Sequence, residues 1–218
     1  KKIYIFLMFF LAANYLKSPE DVKKVINGYI AGATFVGIYA IIMTIKHRYL
    51  EGNADFRAVS FSGNHMHAGG FFMMASITTA AMVFYNLKER TKDYKIHLLY
   101  VSCFIIITAA LVFTFTRGSW LGAISGILFL AFIFDKRYLL ATLVLFVIAA
   151  VLLKDTAIGK RFLSSFQPGR KTSASERLYM WESGLKIIRD YPFGIGTDSL
   201  PKVYPKYKNK IAQWAILY

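Results

Sequence analysis

The stretch FTFTRGSWLG, residues 113–122, places Arg117 in a turn of about four residues between two apolar runs, with no acidic residue near it in the chain. An uncompensated charge at such a place is expensive. The guanidinium therefore either snorkels to an interface along its apolar stem or turns inward to meet an anion. A second polar cluster, FRAVSFSGNHMHAGGFF at residues 56–72, gathers Arg57, Asn64, His65 and His67 in front of another apolar run. Its His-x-His spacing suits a metal in an extended segment, but no third ligand with a recognisable spacing accompanies it. The expectation is an interfacial or substrate-contacting role, with no metal and no cofactor. A third candidate, Arg177, stands in the first turn of a helix read from SASERLYMWESGLKIIRDY, residues 173–191. There it either is an ordinary solvated arginine or joins the backbone N–H groups in holding an anion. The GIGTDS that follows lacks the Gly-Lys-Ser/Thr ending of a phosphate loop and follows no strand, so it reads as a turn.

These residues need elements to position them, and the composition says which. The chain has 218 residues, 56% of them hydrophobic, with mean hydropathy +0.43. Its apolar residues fall in long blocks instead of a surface-helix rhythm. About 20 apolar residues cross the roughly 30 Å hydrocarbon layer. Residues 25–45, 68–87 and 96–115 meet that length outright, and residues 3–16, 120–134 and 138–153 are shorter spans. The fold class expected is an all-α integral membrane protein: a polytopic transmembrane helix bundle over residues 1–153, then a large, partly helical extracytoplasmic loop over residues 154–218. The opening KKIYIFLMFF has no small-residue cleavage site before KSPEDVKK, so it is not read as a signal peptide, and the chain is expected to begin inside a larger protein. Gly63, Gly69 and Gly70 read as close-packing positions. In the 173–191 helix, Ser173 and Glu176 stand at capping-box spacing, and Leu178, Trp181, Leu185 and Ile188 form one apolar face for the membrane or the bundle. YPFGIG ends it.

Charge orients the bundle. Three compact loops, KSPEDVKK, KERTKDYK and DKR, hold nine Lys/Arg, against six in the short segments of the opposite side. The compact loops are therefore expected at the cytoplasm and Arg57, Arg117 and the tail outside it. The tail carries 12 Lys/Arg and five acidic residues, much of the formal +15, which suits an anionic surface or substrate. Membrane lipids are expected partners and nucleic acid is not, since no nucleic-acid module is readable. The single Cys103 lies within a span and offers neither a disulfide framework nor a CxxC site.

Taken together, FTFTRGSWLG, a hairpin of spans and a basic loop containing SERLYMWESGLKIIRDYPFGIGTDSL resemble the O-antigen ligase and O-antigen polymerase superfamily of bacterial envelope glycosyltransferases. The family's Thr/Ser-Arg-Gly turn corresponds to Thr116, Arg117 and Gly118. Its loop Arg, the Trp four residues on and its Pro-x-Gly-x-Gly turn correspond to Arg177, Trp181, Pro192, Gly194 and Gly196. The resemblance spans roughly residues 57–207.

The resemblance implies a metal-independent, inverting transfer of a glycan from undecaprenyl pyrophosphate to an acceptor sugar hydroxyl, at the periplasmic face of the bacterial inner membrane. The implied partners are the undecaprenyl-pyrophosphate-linked donor and a lipid-linked or glycan acceptor. Arginine suits bidentate contact with phosphate, so Arg117, Arg177 and Arg57 are the expected pyrophosphate clamp. Two features depart from the family. Asn64, His65 and Met66 stand where Asn-Pro-Asn is common, and the family's general-base histidine, near the end of the large loop, has no counterpart here. The base is expected beyond Tyr218, which would leave this stretch inactive alone, with His65 or His67 as substitutes. Two alternatives stay open: a transporter or flippase of an anionic lipid-linked glycan, which predicts a polar path through the spans, and a non-catalytic membrane scaffold.

Overall fold

The structure, a computed structural model, describes residues 10, 12–53, 56–60, 63–89, 94–156, 159, 173–196 and 198–207. Most of those residues are helical, with no strand among them. Helix α1 is Pro19–Ile45, continued by a π-helical turn, Lys46–Leu50; α2 is His65–Lys88, α3 Tyr94–Phe113, α4 Arg117–Phe134, α5 Lys136–Leu153, α6 Ser173–Asp190 and α7 Leu200–Tyr207. Among the described residues four helices are long and apolar enough to cross a membrane: α1 with its π turn, α2, α3 and α4. The chain is thus an all-α membrane protein. Of the 3–16 segment only residues 10 and 12–16 are described, and residues 10 and 12–15 are helical.

Helices α1 to α5 begin earlier than hydropathy suggests, and side-chain caps account for three of these starts, those of α1, α2 and α5. Ser18 closes a capping box with Asp21, its Oγ accepting from the Asp21 N–H at 3.2 Å, and Pro19 takes the first helical position, so the polar PEDVKK is helix and not loop. Asn64 caps α2, its Oδ1 accepting from the Met66 N–H at 2.8 Å. Asp135 ends α4 and begins α5, its Oδ1 accepting from the Arg137 N–H at 2.8 Å.

Two compact units make up the chain, Lys1–Phe162 and Leu163–Tyr218. In the first, α2 packs against α3 and α4, and α3 also packs against α1. Small residues, among them Ala33, Ala40, Ala68, Ala75, Ala110 and Ala123, fill much of the core around Phe72 and Ile107. Between apolar helices in lipid, close backbone approach gives more than apolar burial does. Along the α2–α4 seam a Cβ on Gly69 would lie 2.8 Å from Ser119 Oγ and 2.9 Å from Thr116 Cβ. One on Gly122 would collide with the Met73 sulfur, and one on Gly126 would sit 2.5 Å from Ile77 Cδ1. Gly69 is thus a close-packing residue as expected, whereas Gly70 faces open space and Gly63, at φ +67°, serves a turn.

In the second unit α6 runs over the expected residues. Leu178, Trp181, Leu185 and Ile188 are exposed, while Ser183 and Ile187 are buried. Gly194 and Gly196, both at positive φ, turn the chain toward α7. Tyr207 donates to Asp190 Oδ2 at 2.7 Å, and this bond to a carboxylate pushes the phenol up to about 12.

Candidate functional site

Alternating spans bring the end of α1, the start of α2, the end of α3 and the start of α4 to one end of the bundle. There the turn at residues 114–116 reverses the chain, one residue shorter than the sequence suggested because α4 starts at Arg117 itself. Phe115 sits at φ 51°, in the left-handed region that is uncommon for a bulky residue. Local bonds hold it there. Thr114 is fully buried and its Oγ1 donates to the Leu111 carbonyl at 2.7 Å, the Thr116 N–H donates to Thr114 Oγ1 at 3.3 Å, and Trp120 Nε1 donates to the Leu111 carbonyl at 3.0 Å.

The segment at residues 56–60 is tied to this turn. The Ala58 N–H donates to the Phe113 carbonyl at 2.8 Å, and Ala58 is wholly buried. Thr116 is the extended N-cap residue of α4, but its hydroxyl caps nothing. It donates instead to the His65 carbonyl at 3.2 Å and the Thr114 carbonyl at 3.3 Å. With Gly69 against Thr116 and Ser119, the starts of α2 and α4 lie side by side and run in the same direction. The positive ends of two helix dipoles therefore share one end of the bundle.

Of the residues singled out in the sequence, Arg57, His65 and Arg117 come to this end. Arg57 Nη1 lies 3.1 Å from His65 Nε2. A guanidinium has no lone pair to offer, so Arg57 donates, His65 Nε2 accepts, and the neutral imidazole carries its proton on Nδ1. Arg117 is half-buried at the first position of α4. His67 is exposed, two residues beyond His65 and hence on another side of α2. Among the described residues no three His, Cys, Asp or Glu side chains gather as a metal set. Arg177 lies in the second unit, in the first turns of α6, and its side chain and those of Ser173 and Glu176 fall outside the described residues.

One arginine at this end was missed as a candidate. Arg48, half-buried on the π turn, holds its guanidinium carbon 4.4 Å from the centroid of the Phe115 ring and donates through Nη1 to the Phe56 carbonyl at 3.3 Å. Beside it, His47 Nδ1 and Lys46 Nζ approach Glu51 at 2.5 and 3.8 Å, and the His47 ring lies 4.5 Å from that of Phe56. The only hint in the sequence was a basic run, KHR, closing an apolar span next to aromatic and acidic residues. The arrangement as a whole suits an anion: three guanidinium groups and two helix starts at one end, with the nearby Glu51 engaged by Lys46 and His47.

A family model described as O-antigen ligase matches residues 102–217, just over half of the chain, a stretch that includes Arg117 and Arg177 but not Arg48, Arg57 or His65. No curated protein and no solved structure matches the chain.

Proposed function

Because the chain belongs to the O-antigen ligase family, we propose that it transfers a glycan from undecaprenyl pyrophosphate to a sugar hydroxyl of an acceptor, with Arg117 and Arg57 holding the pyrophosphate. Family membership supports a role in glycan ligation at a membrane. The donor, the acceptor class and the clamp are our own reading. The observation that carries it is the meeting of Arg57 and Arg117 with the starts of α2 and α4 at one end of a membrane bundle. The acceptor oxygen attacks the anomeric carbon from the face opposite the pyrophosphate, a glycosidic C–O bond forms and the sugar–phosphate C–O bond breaks. Negative charge grows on the leaving pyrophosphate, and fixed guanidinium groups stabilise it more in the transition state than in the bound donor. The acceptor's proton passes to a general base. We assign that base to neither histidine of the cluster: His65 Nε2 already accepts from Arg57, and His67 lies on another side of the helix. His65 instead orients Arg57.

This reading places the chain in the bacterial inner membrane with Arg57 and Arg117 on the periplasmic side, supported by the nine basic residues of KSPEDVKK, KERTKDYK and DKR. One experiment tests side and site together. In a Cys103→Ala background, Asn53→Cys at the arginine end should react with a membrane-impermeant maleimide in intact spheroplasts, and a lipid-linked pyrophosphate donor should slow that reaction. Glu89→Cys at the other end should react only after the membrane is opened. Labelling of Glu89→Cys in intact spheroplasts refutes the orientation, and an Asn53→Cys reaction indifferent to the donor refutes the site.

A further inference from the structure

The π turn that continues α1, Lys46–Leu50, carries a side chain that reaches two separate segments. Single π turns within α-helices are rare and cluster at functional places, since the extra residue re-aims the side chains that follow. Here the side chain re-aimed is Arg48. Its guanidinium carbon lies over the Phe115 ring, 4.4 Å from the centroid, and its Nη1 donates to the Phe56 carbonyl at 3.3 Å. Phe115 is 6% exposed and stands two residues before Arg117; Phe56 stands directly before Arg57. The same turn anchors the connecting chain, with the Glu51 N–H donating to the Lys46 carbonyl at 3.1 Å and the Asn53 N–H to the His47 carbonyl at 3.0 Å. Phe115 also holds a left-handed backbone angle, a conformation that persists only where the surroundings over-determine it. A cation stacked on its ring is one such determinant.

We propose that Arg48 is a positioning residue of the pyrophosphate site: it sets Arg57 and Arg117 in register by pinning Phe56 and Phe115, and does not itself contact the phosphates. This rests on the function proposed above. An arginine serves here where a lysine would not, because only a guanidinium presents a flat face to a ring and an edge donor to a carbonyl at once.

The test is the affinity of the full-length protein for inorganic pyrophosphate, titrated at low ionic strength. Arg48→Ala should weaken binding about tenfold, within the range of a desolvated cation–π contact. Phe115→Leu, which removes the ring but leaves the Arg48 charge, should weaken it similarly. The decisive variant adds Arg48→Ala to Arg57→Ala/Arg117→Ala, where no further loss is expected because the residues through which Arg48 acts are gone. Undiminished affinity in Arg48→Ala, or a full additional loss in the triple variant, overturns the positioning role; the second result makes Arg48 a direct ligand. If Arg57→Ala and Arg117→Ala themselves bind pyrophosphate as the parent does, the pyrophosphate reading falls and the Arg48 proposal with it. If they lose binding and Arg48→Ala does not, only the Arg48 proposal falls. Should Arg48→Ala fail to fold, Phe115→Leu decides: parent-like affinity in that variant refutes the proposal.

Discussion

The two ends of the bundle use the same contact to different effect. At the far end Lys88 lies over the Phe134 ring, 5.9 Å from its centroid, and Phe84 stacks on Tyr138 with centroids 5.6 Å apart, while Asp135 closes the turn between α4 and α5 alone. Lys88 is exposed, and rings and one cap suffice to close that hairpin. At the other end Arg48 is half-buried over Phe115 at 4.4 Å and is also bonded to a backbone carbonyl. Around it, bonds from Ala58 and Thr116 join segments that are far apart in the chain, and Arg57 bonds to His65 across the turn between them. A cation on a ring is therefore uninformative by itself. What separates the ends is whether the cation also fixes backbone beside other cations. Closing a hairpin needs no such arrangement, whereas holding several guanidinium groups together in one place does.

Substitutions at the two ends should differ in their effects. The largest effect is expected from Gly69→Val, whose side chain would meet Thr116 and Ser119 and push the starts of α2 and α4 apart. Overpacking of this kind costs about 1–3 kcal/mol, so the variant should melt earlier in detergent and lose most glycan transfer. Gly70→Ala, one residue on and facing open space, should do neither. A Gly69→Val protein as stable and active as its parent would show that the two helix starts need not lie together. The smallest effect is expected at the far end, where Lys88→Ala removes an exposed cation–π contact. Its stability should change by about 0.5 kcal/mol or less, with transfer and pyrophosphate binding unchanged. Loss of binding in Lys88→Ala would erase the difference between the ends.

Much of this was legible in the sequence. The apolar blocks mark the spans, the TRG turn between two of them marks Arg117, and SASERLYMWESGLKIIRDY marks α6 nearly to the residue. What escaped depends on contacts that hydropathy and spacing do not carry. The polar PEDVKK is helical because Ser18 and Pro19 start a helix there, while an apolar window registers only its charges. Arg48 looks like one more basic residue at a span end, since a π turn and a ring 67 positions away are tertiary facts. The Arg57–His65 bond crosses the turn at Gly63, whose positive φ brings together residues eight apart. In α6 the periodicity picks out Leu178, Trp181, Leu185 and Ile188 as the apolar face, yet in the fold they are exposed, because an apolar stripe does not say what covers it.

The central claim is that Arg117 binds the pyrophosphate of a lipid-linked donor, and the most direct test is glycan transfer by purified full-length variants at matched expression. Arg117→Lys keeps the charge but loses the planar fork, and transfer should fall by about 10- to 100-fold, or about 1.4 to 2.7 kcal/mol, with Arg117→Ala falling further. A guanidinium that merely snorkels to the interface is replaced by an ammonium without loss. Full transfer by the Lys variant would contradict the claim.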